Sequence, residues 1–558
     1  MWNKKYVIYG MNRIAKDFMY IFDKLEIAYF VDDITDCRQF LGKMVYPVEH
    51  VIGRDFDAII ICDFDKTMKI KKVEQYGFQY GKDYYFEEDL FYLLDKVKVP
   101  TDKELIVWGT GRIAKKYFSG NTIHVSFYVD SNEKKDFFDG NVVKHPDFIK
   151  DWSQYFVIIA VKESAEIEEY LSSHNLKRES DFAKYDQLLC FLLLRKTLFD
   201  KQYYNFTCRT MLNHLEVLKD GETCCCCTTF MGIGLGNMMK SSVEDVWNST
   251  LHKILCLSTE NHTYSFCDKN MCPLFVNKKP SSQNRLHVED YHAMETMPKV
   301  VAVGYDSSCN LMCSTCRDTL CIASGEEAEK LNEVTDVVIE KLLPTAEFLV
   351  LAGDGEVFVS KSYERIYRSD KVNDMKYIRI LSNGTLFSKS NWEKFATNKL
   401  GKIMLTFSID AATKETYEKI RRNGNFDILK KNMEFASELR REGKVSFLRL
   451  NFVVQRGNYQ EMIMFVDWAE KLGADAVFFT KILNWGTFTE EEFKEISMME
   501  EDGTTPKREL IQVLENPVMK KGIVDLGTIQ YMHDEALEEV IENYYMWELE
   551  KKNKGLFI

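Results

Sequence analysis

The sequence has little proline, no low-complexity linker and no long apolar run. Proline occurs nine times in 558 residues, so domain boundaries have to come from changes of pattern rather than from linkers. No apolar run approaches the ~18 residues that a transmembrane helix requires. We expect no signal peptide before Lys4, because an apolar strand follows almost at once. These absences predict a soluble chain that is long enough for three or four domains.

The chain also lacks an excess of positive charge. Its net charge is −13 and its pI is near 5.5, which argues against nucleic acid or an anionic membrane as the main partner. The ten histidines are scattered, with no pair at the spacing of a zinc site. Fifteen cysteines without an export signal indicate a reducing compartment and metal binding rather than disulfides. We therefore predict a cytoplasmic protein with no membrane span.

One group of cysteines lies between Asp306 and Asp318, in the sequence D-S-S-C-N-L-M-C-S-T-C-R-D. Cys309, Cys313 and Cys316 form a C-x3-C-x2-C array. Thiolates this close cannot span a fold as disulfides, but they can hold three corners of one iron–sulfur cube. One iron would then stay open to a small molecule. The alternative is a chance group of cysteines in a loop.

Further motifs follow this array in a fixed order along the chain. They are A-G-D-G-E-V-F (Ala352 to Phe358), S-N-G-T (Ser382 to Thr385), L-T-F-S-I-D (Leu405 to Asp410) and T-K-E-T-Y-E-K-I-R-R (Thr413 to Arg422). Together with the cysteine array they resemble the radical S-adenosylmethionine (SAM) superfamily, and the resemblance extends over roughly residues 298–485. Asp354, which stands between the two glycines of the first motif, departs from the plainest form of the family pattern.

The resemblance implies a cofactor, a reaction and a set of site residues. The open iron of a 4Fe–4S cluster held by Cys309, Cys313 and Cys316 would bind the amino and carboxylate groups of SAM. One electron, from a flavodoxin- or ferredoxin-type donor, would break the sulfonium C–S bond and give methionine and a 5′-deoxyadenosyl radical that abstracts hydrogen from the substrate. The glutamate of the first motif would hold the methionine ammonium, and the tip of the third motif would meet the ribose. The implied SAM-binding residues are Gly353, Gly355, Glu356, Ser382, Asn383, Ser408 and Asp410.

A second group of cysteines lies between Asn205 and Phe275 and consists of Cys208, the tandem Cys224 to Cys227, Cys267 and Cys272. Its order is similar to that of a SPASM-type auxiliary-cluster domain, which usually follows the radical SAM core and here precedes it. The resemblance implies a second 4Fe–4S cluster ligated by Cys208, Cys226, Cys267 and Cys272. Cys227 is the alternative to Cys226, since adjacent side chains point in different directions on an extended chain. A zinc site or a chance cluster of thiols remains open.

An internal repeat occupies the first 197 residues. The segments K-Y-V-I-Y-G-M-N-R-I-A-K and E-L-I-V-W-G-T-G-R-I-A-K place Gly10 and Gly109 99 positions apart. Each copy predicts a Rossmann-like βαβ unit with parallel strands. In the second copy, Gly109, Gly111 and Asp130 make a candidate nucleotide site, whereas the first copy has Asn12 in place of the second glycine. The alternative is a duplicated scaffold.

The whole pattern predicts an α/β protein with a partial (β/α)6 TIM-like barrel core, preceded by two Rossmann-like βαβ repeats and a small cysteine-rich SPASM-like domain. The core strands are predicted over residues 300–303, 348–351, 377–381, 403–408, 445–454 and 476–482. The predicted segments are 1–98, 99–197, 198–297, 298–486 and a helical extension, 487–558. Within that extension, helices are predicted over residues 489–496 and 534–552.

Two classes of function are compatible with this sequence. The first is a radical SAM enzyme that acts on a peptide, a sugar or a sugar nucleotide; the auxiliary cysteines favour peptides, and the repeats favour saccharides. The second is a non-catalytic module that binds a nucleotide and senses redox state through iron–sulfur clusters. Glu356 favours the enzyme, because a sensor needs no acceptor for the methionine ammonium.

Overall fold

The computed structural model describes residues 4–33, 39–53, 55–63, 66–91, 97, 99–100, 103–118, 124–131, 136–161, 164–199, 202–203, 208–276, 296–351, 355–396, 400–485, 487–531 and 540–541. The chain forms two compact units, the first made of residues 1–204, 253–265 and 539–558 and the second of residues 205–252 and 266–538. Both units are mixed α/β, with sheets rich in parallel strands. Among the described helices, none has the length and apolar character needed to cross a membrane. The five predicted segments stay a prediction.

The described helices and strands are numbered here in chain order. The helices are α1 (Arg13–Ile21), α2 (Thr67–Gln75), α3 (Glu87–Phe91), α4 (Arg112–Phe118), α5 (Ala165–Ser173), α6 (Leu189–Phe199), α7 (Thr210–Asn213), α8 (Val243–Trp247), α9 (Thr250–Glu260), α10 (Pro273–Val276), α11 (Gly325–Val337), α12 (Lys361–Arg368), α13 (Lys389–Ala396), α14 (Lys414–Ile420), α15 (Phe426–Arg441), α16 (Met462–Lys471), α17 (Glu490–Ile496) and α18 (Arg508–Leu514). The strands are β1 (Lys5–Tyr9), β2 (Glu26–Asp32), β3 (Gln39–Phe40), β4 (Lys43–Pro47), β5 (Ala58–Ile61), β6 (Tyr84–Phe86), β7 (Glu104–Trp108), β8 (Phe127–Val129), β9 (Phe137–Phe138), β10 (Asn141–Lys144), β11 (Tyr155–Ile159), β12 (Phe182–Lys184), β13 (Gln202–Tyr203), β14 (His214–Val217), β15 (Glu222–Cys224), β16 (Gly236–Asn237), β17 (Val300–Val303), β18 (Phe348–Leu351), β19 (Tyr377–Ser382), β20 (Ile403–Ser408), β21 (Val445–Val454), β22 (Ala476–Lys481), β23 (Val524–Asp525) and β24 (Val540–Ile541).

The first unit contains two six-stranded sheets with one and the same topology. Their strand orders are β3-β4-β2-β1-β5-β6 and β9-β10-β8-β7-β11-β12. In each sheet only the short outer strand, β3 or β9, runs antiparallel to its neighbour. The central strands are almost wholly buried, as expected for parallel strands covered on both faces. Gly10 and Gly109 end the central strands with positive φ, and a Cβ on Gly10 would lie 2.2 Å from the Cys62 carbonyl oxygen.

One secondary-structure prediction is wrong in the first unit. A helix was expected over residues 534–552, but the described part of that segment, Val540–Ile541, is a strand that pairs antiparallel with Gln202–Tyr203. Two β-branched residues suit a strand once an edge is available for pairing. The rest of the predicted helix lies outside the described residues.

The second unit is organised by a ten-stranded sheet of order β16-β15-β14-β17-β18-β19-β20-β21-β22-β23. All neighbours from β14 to β23 in this order run parallel, and only β15 and β16 run antiparallel. The six predicted core strands are present as β17 to β22, within one residue of their predicted bounds. The sequence did not predict β14 or β23, which extend the parallel array at either side.

The helices that return the chain follow the predicted pattern. α15 begins at the cap residue Asn425, whose side chain accepts the Ile428 amide, and the chain leaves it through Gly443, with φ of +69°. After the cysteine loop, α11 is followed by a π-helical turn, Val338–Leu342. Because β17 to β22 are parallel, the motifs that follow them all lie at one edge of the sheet.

Candidate functional site

The three-cysteine loop follows β17 and is folded by its own backbone. The Cys309 amide donates to the Cys321 carbonyl (2.7 Å), and the Cys316 amide donates to the Cys313 carbonyl (2.9 Å). Cys313 is buried, Cys309 is half-buried and Cys316 is exposed. None of the described cysteines forms a disulfide. The loop thus presents three thiols, one of them at the surface.

The end of α14 and the residues after it brace this loop. The Met312 and Ser314 amides donate to the Arg422 and Ile420 carbonyls (3.0 and 2.9 Å). The Arg422 guanidinium returns a hydrogen bond to the Met312 carbonyl (2.7 Å), and Asn423 donates to the Asn310 carbonyl (2.8 Å). The loop conformation is therefore held from outside as well as by its own bonds.

Cationic and amide donors surround the three sulfur atoms. Arg317 Nε lies 3.4 Å from the Cys316 sulfur, and Arg421 Nη1 lies 3.5 Å from the Cys313 sulfur. The Leu311 amide donates to the Cys309 sulfur at 3.4 Å. Burial raises the pKa of Cys309, and that amide opposes the shift. Donors placed on sulfur favour thiolates, so this donor set fits an iron–sulfur cube.

Glu356 lies beside the cysteine loop and joins the ends of two strands. Its carboxylate accepts the Ser382 hydroxyl and the Asn383 amide, both at 2.7 Å, and its own amide donates to the Ser308 carbonyl (2.8 Å). The residue is 1% exposed. Burial raises its pKa, whereas the hydrogen bonds from Asn383, Ser382 and Phe358 hold the charged form. A buried carboxylate in this position is suited to receive an ammonium group.

The neighbouring glycine and amide explain how the glutamate comes so close to the loop. A Cβ on Gly355 would lie 2.3 Å from the Asp306 carbonyl oxygen, so only glycine fits there. Asn383 Nδ2 lies 3.9 Å from the Cys309 sulfur and 3.0 Å from Asn310 Oδ1. The structure therefore brings Gly355, Glu356, Ser382 and Asn383 to the cysteine loop. Gly353 lies outside the described residues.

Asp410 has a different environment from the one expected of a residue that meets a ribose. It has φ of +67° and is 1% exposed. One carboxylate oxygen pairs with Arg421 (2.7 Å), and the other accepts the Val453 amide (2.8 Å). Burial opposes the charge on Arg421, but Asp410, the Cys313 thiol and Tyr417 raise its pKa above the ordinary value. Asp410 thus positions Arg421 against Cys313, whereas Ser408, at the end of β20, is half-buried.

Sequence reasoning missed the roles of Arg317, Arg421 and Arg422. The available signals are the R-R pair at the end of the T-K-E-T-Y-E-K-I-R-R motif for Arg421 and Arg422, and the position next to Cys316 for Arg317. It also missed Glu461, which accepts the Ala412 amide and the Thr413 hydroxyl (2.6 and 2.7 Å) and so fixes the chain after Asp410.

The second cysteine group is drawn together by antiparallel pairing and by a backbone bond. β15 runs antiparallel to β14 and ends at Cys224, opposite Glu216. The tandem cysteines therefore continue toward the start of β14. Cys208 and α7 immediately precede that start in the chain. The Asp268 amide donates to the Phe230 carbonyl (2.7 Å), which links the turn after the tandem cysteines to the segment from Cys267 to Cys272. Cys208, Cys226 and Cys272 are buried.

Among the tandem cysteines, Cys224 has an environment unlike that of a ligand. Its thiol donates to the Cys226 carbonyl (2.9 Å), and burial beside Glu216 raises its pKa. Burial also raises the pKa of Cys227. In the described part of the chain, no three or more His, Cys, Asp or Glu side chains are close enough to hold a single metal ion. The ligand set and the number of clusters stay predictions.

A cavity of about 210 Å³ opens at the same edge of the sheet. Its lining includes Val453 and Thr480 near the ends of β21 and β22, Phe478 within β22, Trp485 beyond them, and Thr229 and Met271 from the cysteine-rich segment. Apolar walls with a few polar groups are typical of small-molecule sites. The cysteine-rich segment around Thr229 and Met271 and the ends of two core strands therefore line one cavity.

In the first unit, the candidate nucleotide residues lie at the carboxyl ends of two adjacent parallel strands. Gly109 follows β7 and Asp130 follows β8. The Thr110 hydroxyl donates to the Asp130 carboxylate. A Cβ on Gly111 would meet no atom within 4 Å, so the turn is open on that side. This is the edge at which open α/β sheets bind ligands.

Comparisons with known proteins agree with this description. Residues 208–273 match the SPASM family, described as an iron–sulfur cluster-binding domain. Over 170 residues the chain is 25% identical to the probable GTP 3′,8-cyclases of two Methanococcus maripaludis strains, C5 and C6, a match that covers 30% of this chain and 53% of each relative. The chain thus spans about half the length of the curated relatives it matches.

Solved structures with partial similarity include SuiB of Streptococcus suis bound to SAM, at 17% identity and a TM-score of 0.27, with 36% of this chain and 43% of that chain covered. Another is anSMEcpe with bound SAM, at 19% identity and a TM-score of 0.26, with 33% of this chain and 51% of that chain covered.

The thiol loop and the matched cysteine-rich segment define an iron–sulfur protein of mixed α/β fold. More narrowly, residues 208–273 match the SPASM domain, and the findings together support a radical SAM enzyme with such a domain.

Proposed function

We propose that this protein is a radical SAM enzyme that cleaves SAM reductively and abstracts hydrogen from a peptide, a sugar or a sugar nucleotide. The observation that carries the proposal is the position of Glu356, a buried carboxylate held against the three-cysteine loop by Ser382 and Asn383. A redox-sensing module would have no use for a carboxylate so placed.

Each residue of the site has a defined task in this proposal. Cys309, Cys313 and Cys316 would hold a 4Fe–4S cluster, which supplies the electron for cleavage of SAM. Glu356 binds the ammonium of the methionine moiety, and its hydrogen bonds keep it ionised although burial raises its pKa. Gly355 allows the glutamate backbone to lie against the cysteine loop. We assign Ser408, rather than Asp410, to the ribose.

We propose that β17 to β22 form the partial (β/α)6 barrel of this core, with the site at its carboxyl edge. In the same proposal, the two sheets of the first unit are Rossmann-like repeats, and nucleotide binding belongs to Gly109, Gly111 and Asp130. The shared strand order of the two sheets supports the repeat. The open space beside Gly111 supports the ligand site.

The SPASM match supports a second cluster, for which we propose Cys208, Cys226, Cys267 and Cys272 as ligands. The cavity beside Met271, between the cysteine-rich segment and the ends of β21 and β22, would admit substrate. The curated relatives are named for a reaction on GTP, which supports a nucleotide-bearing substrate among the three classes. The electron donor would be of the flavodoxin or ferredoxin type. The many thiols suit the reducing cytoplasm.

The test is anaerobic turnover of reconstituted protein with dithionite and SAM. The native chain should release 5′-deoxyadenosine, whereas Cys313→Ala should release none. Cys321→Ala is the matched control, because Cys321 belongs to the same loop but stands outside the array. Unchanged turnover in Cys313→Ala would exclude the core assignment. A reducible cluster without any 5′-deoxyadenosine would favour the redox-sensing module instead.

A further inference from the structure

A fourth cysteine, Cys321, lies beside the three-cysteine loop and has no part in the proposed core cluster. The Cys309 amide donates to the Cys321 carbonyl (2.7 Å), and the two residues form an antiparallel bridge. A second bond, from the Ala323 amide to the Ser308 hydroxyl oxygen (3.0 Å), holds the same two stretches of chain together. Cys321 is therefore held directly opposite Cys309.

The side chains of these two cysteines lie on the same side of the bridge. Directly opposed residues of an antiparallel pair share a face, and the next residue along an extended chain points the other way. Leu320 and Ile322, on either side of Cys321, are 50% and 63% exposed, whereas Cys321 is half-buried. Cys321 thus faces inward with Cys309, and its two neighbours face solvent.

The distance between the two residues suits a disulfide. Opposed residues of an antiparallel bridge that share a hydrogen bond have Cα atoms about 5.5 Å apart. Disulfides occur at Cα separations of about 4.4–6.8 Å, so the bond requires no large movement of the backbone. Both cysteines are half-buried, so each has surface that a small oxidant can reach. The geometry thus permits a bond between Cys309 and Cys321 when no cluster engages the Cys309 sulfur.

Resting on the proposed function, we propose that Cys321 is a resolving thiol, which protects Cys309 through a reversible disulfide whenever the core cluster is absent. The oxidant is hydrogen peroxide. It transfers one oxygen atom to a thiol of the pair, which becomes a sulfenic acid, and its other oxygen leaves as water. The second thiol then displaces the hydroxyl group as another water, and the S–S bond forms. The two sulfur atoms lose the two electrons that the peroxide gains, and a dithiol reductant reverses the step.

The disulfide has two consequences for the site. With Cys309 engaged, only two thiols of the array remain, so the cube cannot assemble until a reductant opens the bond. Without a resolving thiol, a sulfenic acid proceeds to sulfinic and sulfonic acids, which a dithiol does not reverse. Cys321 thereby keeps the loop able to accept a cluster again after oxidation.

The test follows the thiols of the full-length chain by mass spectrometry after a chelator has removed its iron. The chain is treated anaerobically with hydrogen peroxide, its remaining thiols are alkylated, and it is digested with trypsin without reduction. Trypsin cleaves after Arg317 and so separates Cys309 from Cys321. The two resulting peptides are 300–317 and 318–330. The native chain should give these peptides joined, and a dithiol should separate them.

Serine variants decide whether the bridge sets the pairing, because all three cysteines of the array fall in peptide 300–317. Cys313→Ser and Cys316→Ser should keep the joined peptides, since each leaves the opposed pair intact. Cys309→Ser should lose them. An equal yield of joined peptides in Cys309→Ser would overturn the proposal, because any thiol of the loop would then serve. Absence of joined peptides from the native chain would overturn it as well.

Recovery after oxidation separates a protective role from a chance pairing. At the same dose of peroxide, Cys321→Ala should accumulate severalfold more sulfinic and sulfonic acid at Cys309 than the native chain. After a dithiol and reconstitution, oxidised Cys321→Ala should regain about four irons fewer than the native chain treated in the same way. Cys321→Ala that has not been oxidised is the control and should bind as much iron as the native chain. Equal oxidation of Cys309 in the two chains would refute the protective role.

The joined peptides and the oxidation state of Cys309 do not depend on turnover. No step of these two measurements uses SAM or a bound cluster, so a protein that forms no 5′-deoxyadenosine can still pass them. An enzyme that does form 5′-deoxyadenosine can likewise fail them. The failure of the proposed function and the failure of this inference are therefore distinguishable.

Discussion

The ion pair between Arg421 and Asp410 gives the sharpest test of how this site is built. The two side chains are 13% and 2% exposed, and their nearest charged atoms are 2.7 Å apart. Removal of one partner from a buried pair leaves an uncompensated charge, which typically costs about 3–5 kcal/mol. Arg421→Met should therefore lower the free energy of unfolding of the second unit by about 3–5 kcal/mol.

Removal of both charges should recover most of this loss. In Arg421→Met combined with Asp410→Asn, the asparagine oxygen can still accept the Val453 amide that Asp410 accepts now. The double variant should therefore fold, yet retain less iron, because the Cys313 sulfur has lost its donor at 3.5 Å.

Denaturant unfolding and iron analysis of reconstituted protein measure the two effects separately. Arg368→Met is the control, since its surface pair with Glu364 should contribute only about 0.3–0.5 kcal/mol. If the free energy of unfolding of Arg421→Met stayed within about 0.5 kcal/mol of the native value, the ion pair would not stabilise the site.

Three further predictions follow from other parts of the molecule. If the SPASM segment holds its own 4Fe–4S cluster, the native chain should contain about eight irons, and a triple alanine variant of Cys309, Cys313 and Cys316 should keep about four. A triple variant that folds but contains no iron would exclude the second cluster. Gly111→Leu should weaken nucleotide binding to the full-length chain and leave its thermal midpoint unchanged, because the side chain enters open space; an unchanged nucleotide affinity would assign the repeat to a scaffold. The pKa of Asp33 is lowered, because hydrogen bonds from Lys72 and Tyr9 outweigh the effect of burial. The ionised carboxylate therefore contributes fully to the stability of the fold above about pH 4, and this contribution is lost as the pH falls below that value. Asp33→Asn should flatten the acid limb of a stability–pH profile, and a profile identical to the native one would contradict this.

The core strands could be predicted because each is a buried apolar run that ends at a polar or glycine motif. β17, β18, β20 and β21 have the bounds expected from the sequence. β14 and β23 could not be predicted in this way, since β14 (H-L-E-V) is not a continuous apolar run and β23 contains only two residues. Their strand character comes from pairing with β17 and β22, which are distant in sequence. Non-local pairing of this kind leaves no periodic signal.

The arginines of the site were missed for a related reason. Arginine is mostly exposed in folded proteins, so an R-R pair at the end of a helix indicates surface charge. Only the tertiary structure shows that Arg421 is turned inward to Asp410 and Cys313. The cysteine array and Glu356, in contrast, could be proposed from the sequence, the array because iron ligation requires cysteines at close spacing and Glu356 because its motif resembles that of the radical SAM superfamily.

The two sheets of the first unit show why a shared fold does not settle a shared function. In the first copy, Asp32 accepts the Met11 amide (2.7 Å) and pairs with Lys69 (3.7 Å). Asn12 accepts the Ala15 amide (3.1 Å) and donates to the Cys62 carbonyl (2.8 Å). The acid and the turn that would meet a ribose and a phosphate thus contact the protein itself. In the second copy, the space beside Gly111 is open. Although Asp130 also accepts a hydrogen bond from Thr110, this open turn is the reason why our proposal places the nucleotide site in the second copy.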